Sequence, residues 1–429
     1  MSTHVPVRTR AVIGSLALGA LAASLMVLVV VPGATEGVSV GAALLGFALG
    51  WATLGRSLRW ALVPAASMAA AGVLLVVLDP SDRALGALAW AWPPVILALA
   101  GWTSVQARRS LSGAGRWLVA AVLAVLVVAS AGAWLSRATT DPFADTHPAP
   151  GTTVSVGDHR LHLDCRGQGS PTVVLLSGLG EFSASWARIV DGVAPATRVC
   201  AYDRAGQGWS DDVDRPQDGL AAAADLHELL AAAGEQGPFV LAGHSIGGPY
   251  AMAYAHRYPD EVAGLVLLDG TSPRQLTDVP GYPLQYAVMR RAYGVLPTLA
   301  RLGLGSLLAG SHLAAEDAAT VDAMAATPRA ARNGRDELSV LPEVLRQARA
   351  LTSLGDRPLV VLTSAENARS TDGWEEAQVR MATLSSDSDH REVEASHAGV
   401  VEDPLGAAAS VKSIASVVEA VRAGDPVDD

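Results

Sequence analysis

The sequence predicts two kinds of structure in one chain: an all-α bundle of about five transmembrane helices over residues 1–137, then an α/β domain with a mostly parallel sheet and a helical cap over 151–429. Three observations carry this. The composition changes near residue 137, from almost continuously apolar to mixed and acidic. Beyond that point uniformly apolar strands alternate with amphipathic helices, the pattern of a sheet covered on both faces. A Ser flanked by glycines then stands where a strand gives way to a helix.

The membrane segments come first. Five apolar stretches, at 11–31, 38–54, 60–78, 84–102 and 117–135, contain no charged residue. Each suits ~30 Å of hydrocarbon, which takes about 17–25 helical residues. The second is the shortest, and Pro93-Pro94 predicts a kink in the fourth. Arg8, Arg10, Arg56, Arg59, Arg108, Arg109 and Arg116 lie in one set of alternating loops, while Glu36, Asp79, Asp82 and Arg83 lie in the other. The positive-inside rule therefore predicts a cytoplasmic N-terminus and, after five crossings, an extracytoplasmic C-terminal part. No ionisable residue within a span suggests a transport path. Trp residues cluster near segment ends, as interfacial anchors do, so the region reads as an anchor. A linker rich in Thr, Asp and Pro follows at 138–150.

In the second half, strands are expected at 160–164, 172–176, 199–202, 239–242, 264–268, 358–363 and 391–394, with helices at 219–233, 247–258 and 405–422. About ninety residues separate the strand ending at Leu268 from the one starting at Pro358. That is too long for an ordinary connection. Helical patterning at 284–308, 314–326 and 341–351 makes it a cap, spanning about 270–357.

Charge narrows the function classes. A formal net charge of -11 argues against a polyanion partner, so no nucleic acid is expected. No P-loop, dinucleotide-type glycine loop or zinc-type Cys/His cluster occurs, so neither metal nor organic cofactor is implied.

The chemistry centres on Gly243-His244-Ser245-Ile246-Gly247, a G-x-S-x-G sequence after the apolar run 239–242. A turn this tight forces its central residue into a strained backbone and stands the side chain clear of the sheet. Glycines on both sides remove Cβ atoms that would collide. A free Ser hydroxyl is a poor nucleophile, so the strain is explained if Ser245 is activated by a partner base.

Four motifs now appear in order: Leu176-Ser-Gly-Leu-Gly180, Tyr202-Asp-Arg-Ala-Gly-Gln-Gly-Trp-Ser-Asp211, the elbow at Ser245, and Ser396-His-Ala-Gly399. Through them the second half resembles the α/β-hydrolase fold superfamily, serine-nucleophile branch. The resemblance implies that Ser245 attacks an acyl carbonyl and that His397 is the general base. It implies an acid after one of two strands, either Asp269 or, after the later strand, Glu366 or Asp372. It implies an oxyanion hole from the backbone N–H groups of Leu179 and Ile246. A Ser where other branches carry Asp argues against epoxide hydrolase or haloalkane dehalogenase chemistry. The 202–211 motif is expected to shape its loop without taking part in chemistry.

In the superfamily's sheet order the strands carrying Cys165 and Cys200 are neighbours, within reach of a disulfide. The expected activity is hydrolysis of an ester or thioester of apolar or lipid-like character by a membrane-tethered enzyme. Its partners would be a small-molecule acyl substrate and the bilayer, while the sequence does not identify its protein partners. The rival readings are a peptidase or lactonase on the same scaffold, a transporter fused to a hydrolase, and a non-catalytic binding or signalling protein. The intact Ser245 and His397 weigh against the last.

Overall fold

A computed structural model describes residues 7–30, 35–139, 143–213 and 217–427. Residues 140–142 of the expected linker lie outside them. Two compact units form. One comprises Met1–Asp141 with Ala287–Gly305, the other Pro142–Tyr286 with Ser306–Asp429. The middle of the expected cap, 287–305, thus groups with the N-terminal helices, which the sequence reading did not anticipate.

The helical unit contains α1 (Val7–Val30), α2 (Glu36–Gly55), α3 (Leu62–Leu78), α4 (Asp82–Leu88), α5 (Trp92–Ser110) and α6 (Gly113–Thr139). The fourth expected segment is broken, not kinked. α4 ends at Leu88, and α5 starts afresh with Pro93 and Pro94 in its first turn, where the missing N–H groups cost nothing. At 19 residues α5 is still about 28 Å long. α2 is the central helix. A Cβ placed on its Gly50 would fall 2.6 Å from Gly19 Cα of α1, and one on Gly41 would fall 2.8 Å from the Gly72 carbonyl of α3. Small residues at these crossings let backbones approach closely, the usual basis of helix packing in lipid. Val77, Val128 and Leu135 point outward, 73%, 70% and 65% exposed.

Among the described residues five helices are long and apolar enough to cross a membrane: Thr9–Leu28, Glu36–Gly55, Arg59–Leu78, Gly113–Leu135 and Pro404–Ala423. The last belongs to the other unit and covers its sheet. Ile414, Val417 and Val418 are buried there. Each such side chain removed from water contributes about 1.5–3 kcal/mol.

The second unit is built on eight strands: β1 (Thr152–Val156), β2 (His159–Arg166), β3 (Val173–Leu176), β4 (Val199–Tyr202), β5 (Phe239–His244), β6 (Val262–Leu268), β7 (Leu359–Ser364) and β8 (Ser388–Val393). Their order in the sheet is β1-β2-β4-β3-β5-β6-β7-β8. The first two joins are antiparallel and the rest parallel. β1 escaped the sequence reading. It is a polar, largely exposed edge strand without the apolar run that marks the others. β3, β4, β5 and β7 are buried throughout, which accounts for their uniform apolarity.

Helix α7 (Ala187–Val193) and the C-terminal helix pack on the face formed by Val173, Val199, Val240, Val266 and Val360. Helices α8 (Gly219–Ala232) and α9 (Gly247–Arg257) pack together on the other face. Within this unit the segment between β6 and β7 adds α10 (Ala315–Ala325) and α11 (Pro328–Ala348). α11 starts thirteen residues before the expected 341. Thr327 caps it by accepting from the Ala330 N–H at 3.1 Å, Pro328 opens it, and the helix runs through Pro342 with Leu338, Leu341, Val344 and Leu345 buried.

Candidate active site

The elbow joins β5 to α9. Ser245 has φ +52°, in the left-handed region that a residue with a Cβ rarely enters. That geometry costs about 1–3 kcal/mol and persists only where its surroundings enforce it. They do so here through the Ser245 N–H bonded to the Leu268 carbonyl (3.2 Å) and the Ser245 carbonyl accepting from Gly248 (3.1 Å) and Thr271 (2.9 Å). A side chain on Gly247 would strike the Leu176 carbonyl, and one on Gly243 would strike the Gly247 backbone, so both positions need glycine.

Asp269 follows β6, also left-handed at φ +44°, and is fully buried. Its Oδ2 lies 2.6 Å from Nδ1 of His397, which sits on the loop after β8. The other donors to this carboxylate are the Ser364 N–H (3.1 Å) and the Trp374 indole N–H (2.8 Å) on Oδ1, and the Asn367 amide (2.6 Å) on Oδ2. Glu366 and Asp372, the other two candidates for the acid, are exposed to solvent on the segment after β7. The residue that reaches the His397 ring from that segment is Asn367, 3.2 Å from Nδ1.

The glycine loop after β3 lies against the nucleophile. A Cβ on Gly178 would come 3.0 Å from the Ser245 Cβ. Gly178 N–H is committed to Glu181 Oε2 at 2.6 Å, so Leu179 carries the next N–H of the loop. The Ile246 N–H belongs to the first turn of α9, whose donors have no carbonyl within the helix. Ile246 follows Ser245 directly, and Leu179 follows the glycine that lies against it. Ser177, where the superfamily often has His, accepts the Trp186 indole N–H at 2.9 Å.

Three contributions escaped the sequence reading. The first is Glu181 with His244, a buried pair 2.6 Å apart. Burial alone would raise the Glu181 carboxyl, but the His244 imidazole and the Gly178 N–H outweigh it and hold it below the ordinary carboxylate value. Burial would likewise lower His244, and the Glu181 charge reverses that, holding it above the usual histidine value. A carboxylate three residues past Gly178 was the available signal. The second is Asn367 with Trp374, which orient Asp269. Asn367 stands three residues beyond β7, at the alternative place for the acid.

The third is Arg204 of the 202–211 motif. Its Nη1 and Nη2 donate to the carbonyls of Ser177 (2.7 Å) and Gly178 (3.4 Å), and its guanidinium also bonds Glu337 of α11 (2.7 Å) and stacks 4.3 Å from the Tyr250 ring. Elsewhere in the motif Asp203 accepts from the N–H groups of Ser183 (2.6 Å) and Trp209 (2.9 Å) and pairs with His162 (2.9 Å).

Cys165 and Cys200 lie opposite each other on β2 and β4 and are joined by a disulfide. With Glu235 they form the one cluster of metal-ligand residue types among the described residues. Sulfurs held in a disulfide offer no thiolate to an ion.

Comparison with known proteins agrees with this architecture. Residues 171–335 match the family model described as the alpha/beta hydrolase fold. An uncharacterized protein of Schizosaccharomyces pombe is 35% identical over 161 residues, covering 30% of this chain and 30% of that protein. The protein named "Putative carbamate hydrolase RutD" of Azorhizobium caulinodans is 33% identical over 114 residues, covering 27% of this chain and 42% of its own. The chain thus spans less than half the length of these relatives. The crystal structure of DBJA (mutant dbja delta) superposes with a TM-score of 0.53 at 21% identity, over 63% of this chain and 99% of that one, a likeness of fold. The second unit thus has the α/β-hydrolase fold, and it follows N-terminal helices long and apolar enough to cross a membrane.

Proposed function

We propose that this chain is a membrane-anchored serine hydrolase that cleaves an ester or thioester with an apolar acyl group through a covalent acyl-enzyme. The observation that carries the reading is the 2.6 Å contact between Asp269 and His397 Nδ1, in the unit where Ser245 is held on a strained elbow. With Nδ1 committed to the carboxylate, Nε2 is the nitrogen left to take the Ser245 proton. Ser245 Oγ then bonds to the acyl carbon, and the carbonyl oxygen becomes an anion facing the Leu179 and Ile246 N–H groups. Each donor of this kind contributes about 2.7–4 kcal/mol to the transition state. Collapse breaks the bond to the alkoxide or thiolate, which leaves with the proton from His397. Water, deprotonated by the same nitrogen, then releases the acid and restores Ser245. Asp269 fixes the ring and stabilises the imidazolium formed in each half.

The setting supports an extracytoplasmic unit. Arg10, Arg56, Arg59, Arg108, Arg109 and Arg116 lie at one set of helix ends in the helical unit and Glu36 and Asp79 at the other, which gives this side when α5 is counted as a crossing beside the four apolar helices. The Cys165–Cys200 disulfide suits an oxidising compartment.

A fluorophosphonate probe tests the reading on the full chain. The expected result is covalent labelling that Ser245→Ala abolishes, with hydrolysis falling on the order of 10⁶-fold, the scale on which serine nucleophiles act. An unlabelled native protein, or labelling that survives Ser245→Ala, would overturn it. An acyl-ester series with a carbamate included then defines the substrate. A strict preference for short, charged acyl groups would refute the apolar assignment.

A further inference from the structure

The segment between β6 and β7 that groups with the helical unit has an unusual composition. No Asp or Glu occurs between Asp278 and Glu316, while Arg290, Arg291 and Arg301 do, in a chain whose net charge is -11. Val288, Val295 and Leu304 are 58%, 36% and 42% exposed within 287–305, and Leu284 and Leu307, which flank it in sequence, are 72% and 77% exposed. From residue 142 onward the remaining large apolar side chains this exposed are Val379 and Leu405 among the described residues. The apolar exposure of the second half of the sequence is therefore concentrated in one stretch.

Polar contacts fix that stretch at one end of the helical unit. Arg291 donates to the Leu28 carbonyl at 3.2 Å, in the last turn of α1, where carbonyls lack partners and the helix end is negative. Arg301 reaches both oxygens of Glu36 at 3.0 Å, in the first turn of α2, and Thr298 donates to the same carboxylate at 3.1 Å. Glu36 itself is buried. Residues 300–304 also pack on α6, the helix that exposes Val128 and Leu135.

We infer that residues 287–305 form a membrane-docking element whose partner is the lipid bilayer at the headgroup–acyl boundary, on the side where α1 ends and α2 begins. This rests on the reading that the helical unit crosses a membrane. Exposed Val and Leu enter the acyl boundary while cationic side chains stay at headgroup depth, the division of labour of interfacial segments. Arg301 is balanced by Glu36, and the two remaining cations, Arg290 and Arg291, favour an anionic leaflet.

The test places an environment-sensitive NBD label on single cysteines in the full chain, reconstituted in phosphatidylcholine–phosphatidylglycerol vesicles with or without a lipid-borne quencher. The native cysteines are disulfide-bonded and take no label. Labels replace Val288, Val295 and Leu304, with Leu74 of α3 as the reference within the spans and Val379 as the reference on the hydrolase unit. The expected result is loss of emission to the quencher at 288, 295, 304 and 74 and none at 379, with the loss at the three cap sites growing with phosphatidylglycerol content. Quenching at Leu74 without quenching at the cap sites overturns the inference and leaves the membrane reading standing; it is also what a protein covering this face would give. Equal quenching at Val379 overturns the inference too, and absence of quenching at Leu74 overturns both readings. None of these readouts depends on catalysis.

Discussion

His244 Nε2 lies 3.0 Å from the backbone carbonyl oxygen of His397, while its Nδ1 lies 2.6 Å from Glu181 Oε1. A protonated imidazole donates to both. Glu181 in turn accepts the Gly178 N–H. One ion pair therefore connects the elbow, the glycine loop after β3 and the loop that carries His397.

The pair should leave a pH signature on stability. His244 is held above its ordinary 6.5, so its contribution is complete below 6.5 and is lost as pH rises through the raised value. Glu181 is held below its ordinary 4.5, so its contribution is complete above 4.5 and is lost as pH falls through the lowered value. Both are complete between 4.5 and 6.5. Removing one member of a buried pair costs about 3–5 kcal/mol. Glu181→Gln should therefore depress the thermal midpoint of the full chain in detergent most within that window, with the deficit shrinking at higher pH. A deficit independent of pH would refute the ion pair.

The acid can be tested by moving it. Asp269→Asn should lower kcat about 10⁴-fold, the cost of losing a triad carboxylate. Glu366→Gln and Asp372→Asn change exposed side chains and should leave kcat within about twofold. Asn367 lies 3.2 Å from His397 Nδ1, so Asn367→Asp in the Asp269→Asn background supplies a carboxylate from the neighbouring strand end. It should recover roughly 10-fold or more of the lost rate, since either strand end can orient the ring. Failure of the double variant to exceed Asp269→Asn would show that the second position cannot hold the imidazole.

These residues also show what the sequence reveals and where it stops. Ser245, His397 and the strands around them are legible because buried parallel strands are continuous apolar runs and because a strand–helix elbow needs its glycines. Asp269 and Glu366 look equivalent in sequence, as both follow apolar strands. What separates them is left-handed backbone at Asp269 and the donors Asn367 and Trp374, about a hundred residues away along the chain. Glu181 offered only its place three residues past Gly178, and Glu337 offered nothing: a carboxylate on a cap helix carries no mark of the buried cation it meets. The position of 287–305 follows from long-range packing that no local period encodes.

Arg204 and Glu337 give a prediction about sign. Burial pushes the Glu337 carboxyl above its ordinary value despite the adjacent guanidinium, so its desolvation is only partly offset. Arg204→Met leaves that carboxyl buried without its cation and frees the Ser177 and Gly178 carbonyls. It should cost about 3–5 kcal/mol. The double variant Arg204→Met with Glu337→Met removes both charges and should be more stable than Arg204→Met alone, while kcat stays depressed because the glycine loop beside Ser245 has lost its clamp. A thermal-midpoint cycle with parallel kinetics reads both. Additive destabilisation would mean the two side chains act independently.

The Cys165–Cys200 bond makes a linked prediction about stability and location. It closes a separation of 35 residues between β2 and β4, for which loop entropy gives about 3–4 kcal/mol at 25 °C. The bonded pair lies on strands that precede the Asp203–Arg204 loop and contributes no group to Ser245, Asp269 or His397. Cys165→Ser with Cys200→Ser should therefore lower the thermal midpoint while leaving kcat at 25 °C nearly unchanged. Dithiothreitol should lower the native midpoint by a similar amount and leave the variant's untouched. In intact cells, a maleimide added after denaturation should label the native protein only if a reductant has been applied first. Labelling without reductant would mean free thiols, and would remove the disulfide from the case for an extracytoplasmic hydrolase unit.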